Sequence, residues 1–237
     1  GHSDNLALYG NLGWNILENS NISLFGRRDE HKQTGANNTY KLNFEQKFNK
    51  FNLGISYMNG MRNPTLYEMF GTDSYGYSGN RNLKPEKSNT YEVYSNILLN
   101  EYINLSVRAF KSNIQNNIEY ISNKYQNDSD NIDLNQSGLN KQINVKFKNT
   151  NLDFFSSLLS SKKENNASQL RRPNKNYGLN VYRNIENNLF GNLTLSLKYN
   201  HYGKHFDTHS TNFSTIEMDS TDLIDLKITK KLNSGNF

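Results

Sequence analysis

Tyr40-Lys-Leu-Asn-Phe-Glu-Gln-Lys-Phe-Asn-Lys-Phe-Asn-Leu-Gly-Ile-Ser-Tyr57 reads as two strands around a tight turn. Tyr40, Leu42, Phe44 and Phe48 oppose Lys41, Asn43, Glu45 and Lys47. After Asn49–Lys50 the pattern resumes, with Phe51, Leu53, Ile55 and Tyr57 opposite Asn52, Gly54 and Ser56. Successive side chains of a strand point to opposite faces, so apolar residues at every second position define a sheet with one apolar and one polar face.

The same alternation recurs along the chain over stretches of roughly eight to eleven residues, the length a tilted membrane strand needs. Leu6, Leu8, Leu12, Trp14 and Ile16 form one such face, and Tyr91, Val93 and Ile97 another. Ile103, Leu105, Val107 and Ala109 follow, then Ile143, Val145 and Phe147, then Leu193, Leu195, Leu197 and Tyr199, and finally Ile224, Leu226 and Ile228. Weaker versions lie around Ile22–Phe25, Leu152–Leu159 and Tyr177–Val181. By this criterion the chain holds about eleven strands.

A soluble sandwich shows the same alternation, so the connections decide. Short turns near Glu18–Ser20, Asn49–Lys50, Asn100–Glu101, Asn149–Thr150 and Glu186–Gly191 alternate with long polar segments. The long segments are Arg28–Asn37, Arg62–Lys87, Asn113–Gln136, Ser161–Lys175 and Tyr202–Ser220. Tight turns on one rim and long loops on the other are the arrangement of transmembrane barrels, and a Greek-key sandwich has no reason to alternate this way. The expected fold is all-β: a transmembrane antiparallel up-and-down β-barrel, of which residues 1–237 supply part of a single barrel domain. The first strand then runs from the outer rim to the periplasmic rim, and the last stretch ends near Asn233–Asn236. An open sheet edge has no hydrogen-bond partner in lipid, so further strands are expected on both sides.

Composition agrees. The 237 residues are 34% hydrophobic and include 15 Tyr and 13 Phe against one Trp. With a mean hydropathy of −0.86, no stretch approaches the roughly 18 apolar residues of a spanning helix. In a barrel only alternate side chains meet lipid, so a polar average is compatible with insertion. There is no Cys, which excludes disulfides and thiolate metal sites. The net charge of +5 is spread without a long basic run, so no nucleic-acid partner is expected.

The segment Met61-Arg-Asn-Pro-Thr-Leu-Tyr-Glu-Met-Phe-Gly71, continuing to Asn80-Arg-Asn-Leu-Lys-Pro-Glu-Lys-Ser88, is the most specific in the chain. Pro64 lacks an N–H and ends a strand ladder, and Pro85 forces an extended entry into the next strand. Arg62, Pro64, Leu66, Met69 and Gly71, followed by Asn80, Asn82, Leu83, Pro85, Glu86 and Ser88, resemble the hallmark of TonB-dependent outer-membrane receptors. Three further segments resemble the cobalamin branch: Asn135-Gln-Ser-Gly-Leu-Asn-Lys-Gln-Ile143, Leu170-Arg-Arg-Pro173 and Thr221-Asp-Leu-Ile-Asp-Leu226. The usual second Gly and the Glu are absent from the first of these, and the family's terminal Asn-Leu-Phe-Asp segment and final strand are missing. The resemblance covers nearly the whole chain and corresponds to the second half of such a barrel. It implies a receptor in the bacterial outer membrane that takes up a scarce nutrient, cobalamin first and a ferric siderophore second, through a plug that couples to TonB. The alternatives are a soluble β-rich adhesin-like module and a passive porin.

Tyr75 and Tyr77, flanked by Gly71, Gly76 and Gly79 and followed by Arg81, form an aromatic loop tip able to stack on a flat ligand. His201, His205 and His209 flank Asp207 in a metal-ligand-like pattern, but loop histidines are mostly solvated. No His lies between Leu66 and Asn80, where haem receptors of the family usually carry one. Asp128, Asp130 and Asp133 lack the Gly and distal Glu of an EF-hand and read as a solvated acidic loop. No nucleophile elbow, zincin motif or phosphate loop is present. Neither an enzyme nor a resident metal or cofactor is therefore expected.

Overall fold

The computed structural model describes residues 4–121, 124–127, 133–163, 169–187, 191–212 and 214–230. Among them the elements are β1 (Asn5–Leu17), β2 (Ser20–His31), β3 (Gly35–Lys47), β4 (Phe51–Arg62), α1 (Leu66–Phe70), β5 (Glu86–Leu98), β6 (Ile103–Gln115), β7 (Ile118–Ile121) and β8 (Lys124–Asn127). Then come β9 (Leu134–Phe147), β10 (Thr150–Lys163), β11 (Lys175–Asn187), β12 (Gly191–Tyr202), β13 (His205–Thr208), β14 (Thr215–Met218) and β15 (Thr221–Lys230). Eleven strands form one antiparallel sheet in chain order from β1 to β15, and β7–β8 and β13–β14 are separate two-stranded ribbons. Each neighbour in the sheet is the next strand of that series, so the architecture is an up-and-down meander with β1 and β15 at its edges.

The register carries the apolar pattern from strand to strand. Trp14, Ile22, Phe44, Ile55, Val93, Ala109, Leu139 and Leu158 are successive cross-strand partners. A second row joins Phe51, Ile97, Leu105, Ile143, Phe154, Leu179, Tyr199 and Ile224. This face is open to its surroundings: Leu8 is 77% exposed, Ile55 52% and Leu226 70%. A soluble sandwich needs that face buried under a second layer. Here the buried apolar residues are instead Met69, Tyr77, Leu83, Ile118 and Leu134, gathered at the end of the sheet where the long connections lie. An uncovered apolar face of this extent is stable against hydrocarbon and not against water.

The opposite face is polar and locally self-supporting. Asn144 donates to Asp153 at 2.6 Å, Ser157 to Asn140 at 2.7 Å, and Tyr94 to Asn43 and Glu45 at 3.1 Å each. Three aromatic rings on this face lie over glycines of the neighbouring strand, Tyr94 over Gly54, Phe110 over Gly138 and Phe155 over Gly178, and all three pairs are in direct register. A Cβ at any of these glycines would enter the ring. The absent side chain lets the aromatic lie flat and cover an otherwise bare backbone.

Several sequence expectations change. The polar stretch Arg28–Asn37, read as a long loop, is mostly strand: β2 runs to His31, β3 starts at Gly35, and a three-residue turn joins them. Ladder hydrogen bonds do not require apolar side chains, and beyond the apolar belt the strands continue with polar pairs such as Arg27–Asp29 at 2.6 Å. For the same reason the weak segments near Ile22, Leu152 and Tyr177 become the full strands β2, β10 and β11. Asn113–Gln136 and Tyr202–Ser220 are not simple loops either, since they fold into the ribbons β7–β8 and β13–β14. Asn233–Asn236 and residues 188–190 of the Glu186–Gly191 turn lie outside the described residues.

Candidate functional site

The connection between β4 and β5 folds into a compact platform. Pro64, which is buried, halts the ladder after Arg62. Thr65 then caps α1 reciprocally: Glu68 N–H donates to Thr65 Oγ1 at 3.1 Å, and Thr65 N–H donates to Glu68 Oε2 at 2.6 Å. The helix stops after one turn, with Gly71 N–H on the Tyr67 carbonyl at 2.8 Å. Asp73 Oδ1 accepts from the N–H groups of Tyr75 (2.8 Å) and Tyr77 (3.0 Å) and turns the chain back. The returning strand closes with Gly79 N–H on Gly71 O at 2.7 Å and Asn80 N–H on Glu68 O at 2.9 Å. Gly79 passes so close to the helix that a Cβ there would lie 2.5 Å from the Met69 carbonyl carbon.

At the base, Arg62 and Glu86 are cross-strand partners. The guanidinium grips Glu86 at 2.7 and 2.9 Å and reaches Glu68 at 3.1 Å. Glu86 Oε1 also accepts the Ile118 N–H at 2.8 Å, which joins this clamp to β7. The ribbon is stapled on further by Asn80 Nδ2 to Tyr125 O at 3.0 Å, and by Asn127, whose Oδ1 accepts Lys84 N–H at 2.7 Å. Met69, Leu83 and Ile118 form the enclosed core, with Tyr125 packed on it. The hallmark residues Arg62, Pro64, Leu66, Gly71, Leu83, Pro85 and Glu86 thus build and close the platform, and Asn82 continues its turn through an N–H on Asn80 Oδ1 at 3.0 Å.

The three loop residues expected to meet a ligand separate. Tyr77 is 3% exposed, stacks on Tyr67 at 4.8 Å, and donates its hydroxyl to the Tyr67 carbonyl at 2.6 Å. Burial pushes its phenol up from the usual tyrosine range. It therefore supports the platform from within. Tyr75 is 89% exposed at the tip. Arg81 places its guanidinium 5.4 Å from the centre of the Phe70 ring, and Tyr67, Phe70 and Tyr120 are exposed around it. The contribution of β7–β8 was missed in the sequence, although the short apolar alternation of Ile118-Glu-Tyr-Ile121 was its available signal.

The other candidates do not converge. His201 meets Asp222 at 2.8 Å, His205 faces the Gly203 carbonyl at 3.4 Å, and His209 pairs with Thr211 at 3.0 Å. Asp207 is held by Arg171 at 2.7 Å, which keeps its carboxyl below the usual carboxylate range. Asp133 accepts from Asn113 at 2.8 Å, whereas Asp128 and Asp130 lie outside the described residues. Among the described residues no group of three or more His, Asp or Glu side chains is placed to hold a metal ion.

An open apolar face, a polar face opposite, short and long connections on opposite rims, and a clamped platform on the long-connection rim define a membrane β-barrel receptor. Residues 1–236 match the family model described as TonB dependent receptor-like, beta-barrel, and the chain belongs to that family of outer-membrane transport receptors. Solved structures agree on the fold. The siderophore receptor PirA from Acinetobacter baumannii aligns with a TM-score of 0.74 at 14% identity, over 98% of this chain and 40% of that one. The ferripyoverdine receptor of the outer membrane of Pseudomonas aeruginosa gives 0.72 at 15%, over 95% and 32%. The copper transporter OprC gives 0.72 at 12%, over 98% and 40%. The chain thus spans 32–40% of the length of these receptors.

Proposed function

We propose that this chain is the part of an outer-membrane receptor that recognises a ferric siderophore and forms the barrel wall for its TonB-energised uptake. The observation that carries the reading is the platform, where Tyr75, Phe70 and Arg81 stand exposed on a rigid base. A cation beside open aromatic faces suits an anionic chelate with planar groups, by charge and by stacking. The metal would arrive already chelated, in keeping with histidines and aspartates that each face a different partner. The siderophore receptors among the structural neighbours support the same substrate class.

Cobalamin is the less favoured substrate. Its three sequence likenesses fall at Asn135, at Arg172 and at Thr221, on or just before the starts of β9, β11 and β15, positions that serve strand entry and say little about a ligand. Coupling to TonB belongs to the complete receptor and is proposed from family membership. The test is equilibrium binding to the complete receptor in detergent, with a panel of ferric siderophores and with cyanocobalamin. The expected result is submicromolar binding of one ferric siderophore, weakened about tenfold by Tyr75→Ala or Arg81→Ala, each loss corresponding to roughly 1.4 kcal/mol. Tight binding of cyanocobalamin alone would overturn the substrate while leaving the receptor class standing.

A further inference from the structure

The aromatic surface of the platform does not end with the β4–β5 connection. Tyr67 stacks on the enclosed Tyr77 at 4.8 Å, and Tyr120 of β7 lies 5.9 Å from the same ring. Tyr125, the cross-strand partner of Tyr120, meets Tyr77 edge-on at 5.8 Å and Tyr120 at 5.1 Å. Buried Tyr77 and half-buried Tyr125 are thereby a floor of rings. Tyr67 and Tyr120, both exposed, reach that floor from two different connections, and Phe70 and Tyr75 add open rings on the β4–β5 side.

The ribbon that carries Tyr120 is tied to the platform through Glu86, Asn80 and Asn127, and to β10 through the pair Glu119–Lys163. Tyr120 follows Glu119 directly and packs on Tyr77 and Tyr125, so its ring is placed before any ligand arrives and loses little freedom on contact. The carboxylates around this surface are engaged. Glu68 and Glu86 are taken by Arg62, Glu119 by Lys163, and Asp73 Oδ1 by the N–H groups of Tyr75 and Tyr77. Arg81 and Lys84 are exposed and pair with no carboxylate among the described residues. The surface therefore offers ring faces together with uncompensated positive charge.

We infer that the recognition site extends onto the β7–β8 ribbon, with Tyr120 a specificity-determining residue, and that it selects a ferric chelate whose arms are catechol rings; this rests on the ferric siderophore reading. Aliphatic hydroxamate arms are neutral around iron and present no ring. A citrate complex brings negative charge without rings. Catechol arms bring both, so that one ring stacks on Tyr120 while others meet Tyr75 and Phe70, and the charge of the complex is drawn to Arg81 and Lys84. Contact with both connections sets the selection, because a chelate without rings gains nothing from the ribbon.

The test is calorimetric titration of the complete receptor in detergent. The probes are ferric enterobactin as the catecholate, ferric citrate as an anionic chelate without rings, and ferrichrome as a neutral hydroxamate. The catecholate is expected to bind about tenfold tighter than either of the others. Tyr120→Ala should weaken it about fivefold, and Tyr120→Phe, which keeps the ring, should retain most of the native affinity. Neither change should alter hydrogen-exchange protection of residues 63–85 in the ligand-free receptor. A merely structural Tyr120 would instead loosen that segment and weaken every probe together, which would overturn its role. Tyr120→Leu keeps an apolar side chain against Tyr125 while removing the ring, and decides the matter if Tyr120→Ala does not assemble. Catecholate binding undiminished by loss of the ring would take the ribbon out of the site. Tighter binding of ferrichrome or ferric citrate would overturn the catecholate and leave the siderophore reading standing. Failure of all ferric complexes to bind would overturn that reading and this inference with it.

Discussion

Arg62 neutralises two carboxylates at the base of the platform, and its planar fork is what permits one side chain to serve both. Replacing it with Ala leaves Glu68 and Glu86 facing each other, at an expected cost of about 1–3 kcal/mol. Arg62→Lys should recover only part of that, because an ammonium cannot grip Glu86 in a bidentate manner. Hydrogen exchange over residues 63–85 measures the loosening, and unchanged protection in Arg62→Ala would remove the clamp from the account. Gly79→Ala should disturb the same segment for a steric reason, since the new methyl meets helix backbone that cannot rotate away. Arg171–Asp207 offers a pH-dependent counterpart. Asp207 is held below its ordinary value of 3.8 by Arg171, so the tie is present above that pH and is lost as pH falls through the depressed value. Protection of the Arg171 amide, bonded to the Phe206 carbonyl at 2.7 Å, should persist at pH 5 and fall only in stronger acid.

At the level of the strand, neighbouring positions face different media. On β9, Ile143 belongs to the apolar row, whereas Gln142 lies on the polar face. Ile143→Arg should therefore impair assembly by roughly 2–4 kcal/mol if it sits near the bilayer midplane, and Gln142→Arg by much less. Urea-dependent folding into lipid vesicles compares the two, and equal effects would contradict the assignment of faces. The paired glycines give a graded test within the polar face. The atoms nearest to a Cβ at Gly54 belong to the movable Tyr94 ring, whereas the nearest at Gly178 is the Tyr199 carbonyl oxygen. Gly178→Ala should be the more damaging change in the same assay. Alternation made these faces legible in the sequence, because the period of two is a local property of an extended chain. The glycine and aromatic pairs were not legible, since the partners lie 40 residues apart for Gly54 and Tyr94 and meet only through the register.

For the molecule as a whole, one sheet presents two unlike sides and a folded rim. The apolar side meets lipid, the polar side lines the interior expected of a barrel, and the platform stands where the long connections gather. A ligand that binds the platform without penetrating its core should raise the protection of residues 63–85 and 116–127 together, because Glu86, Asn80 and Asn127 link the two segments. Protection of only one segment on ligand addition would mean that the ribbon and the helix respond independently.

The sequence by itself determined the sheet, its amphipathic faces and, apart from the Arg28–Asn37 stretch that became strand, the alternation of short and long connections, because each follows from residues close together along the chain. It also pointed to the family, since both halves of the hallmark lie in order between Arg62 and Ser88. Only the tertiary structure decided what those hallmark residues do. Tyr75 and Tyr77 are nearly indistinguishable in sequence, yet packing against Tyr67, Tyr120 and Tyr125 encloses one and leaves the other free. That outcome depends on a ribbon whose strands begin more than 40 residues beyond Tyr75, and on a register that brings Arg62 to Glu86. Burial is a property of what arrives from elsewhere in the chain, and no local pattern encodes it.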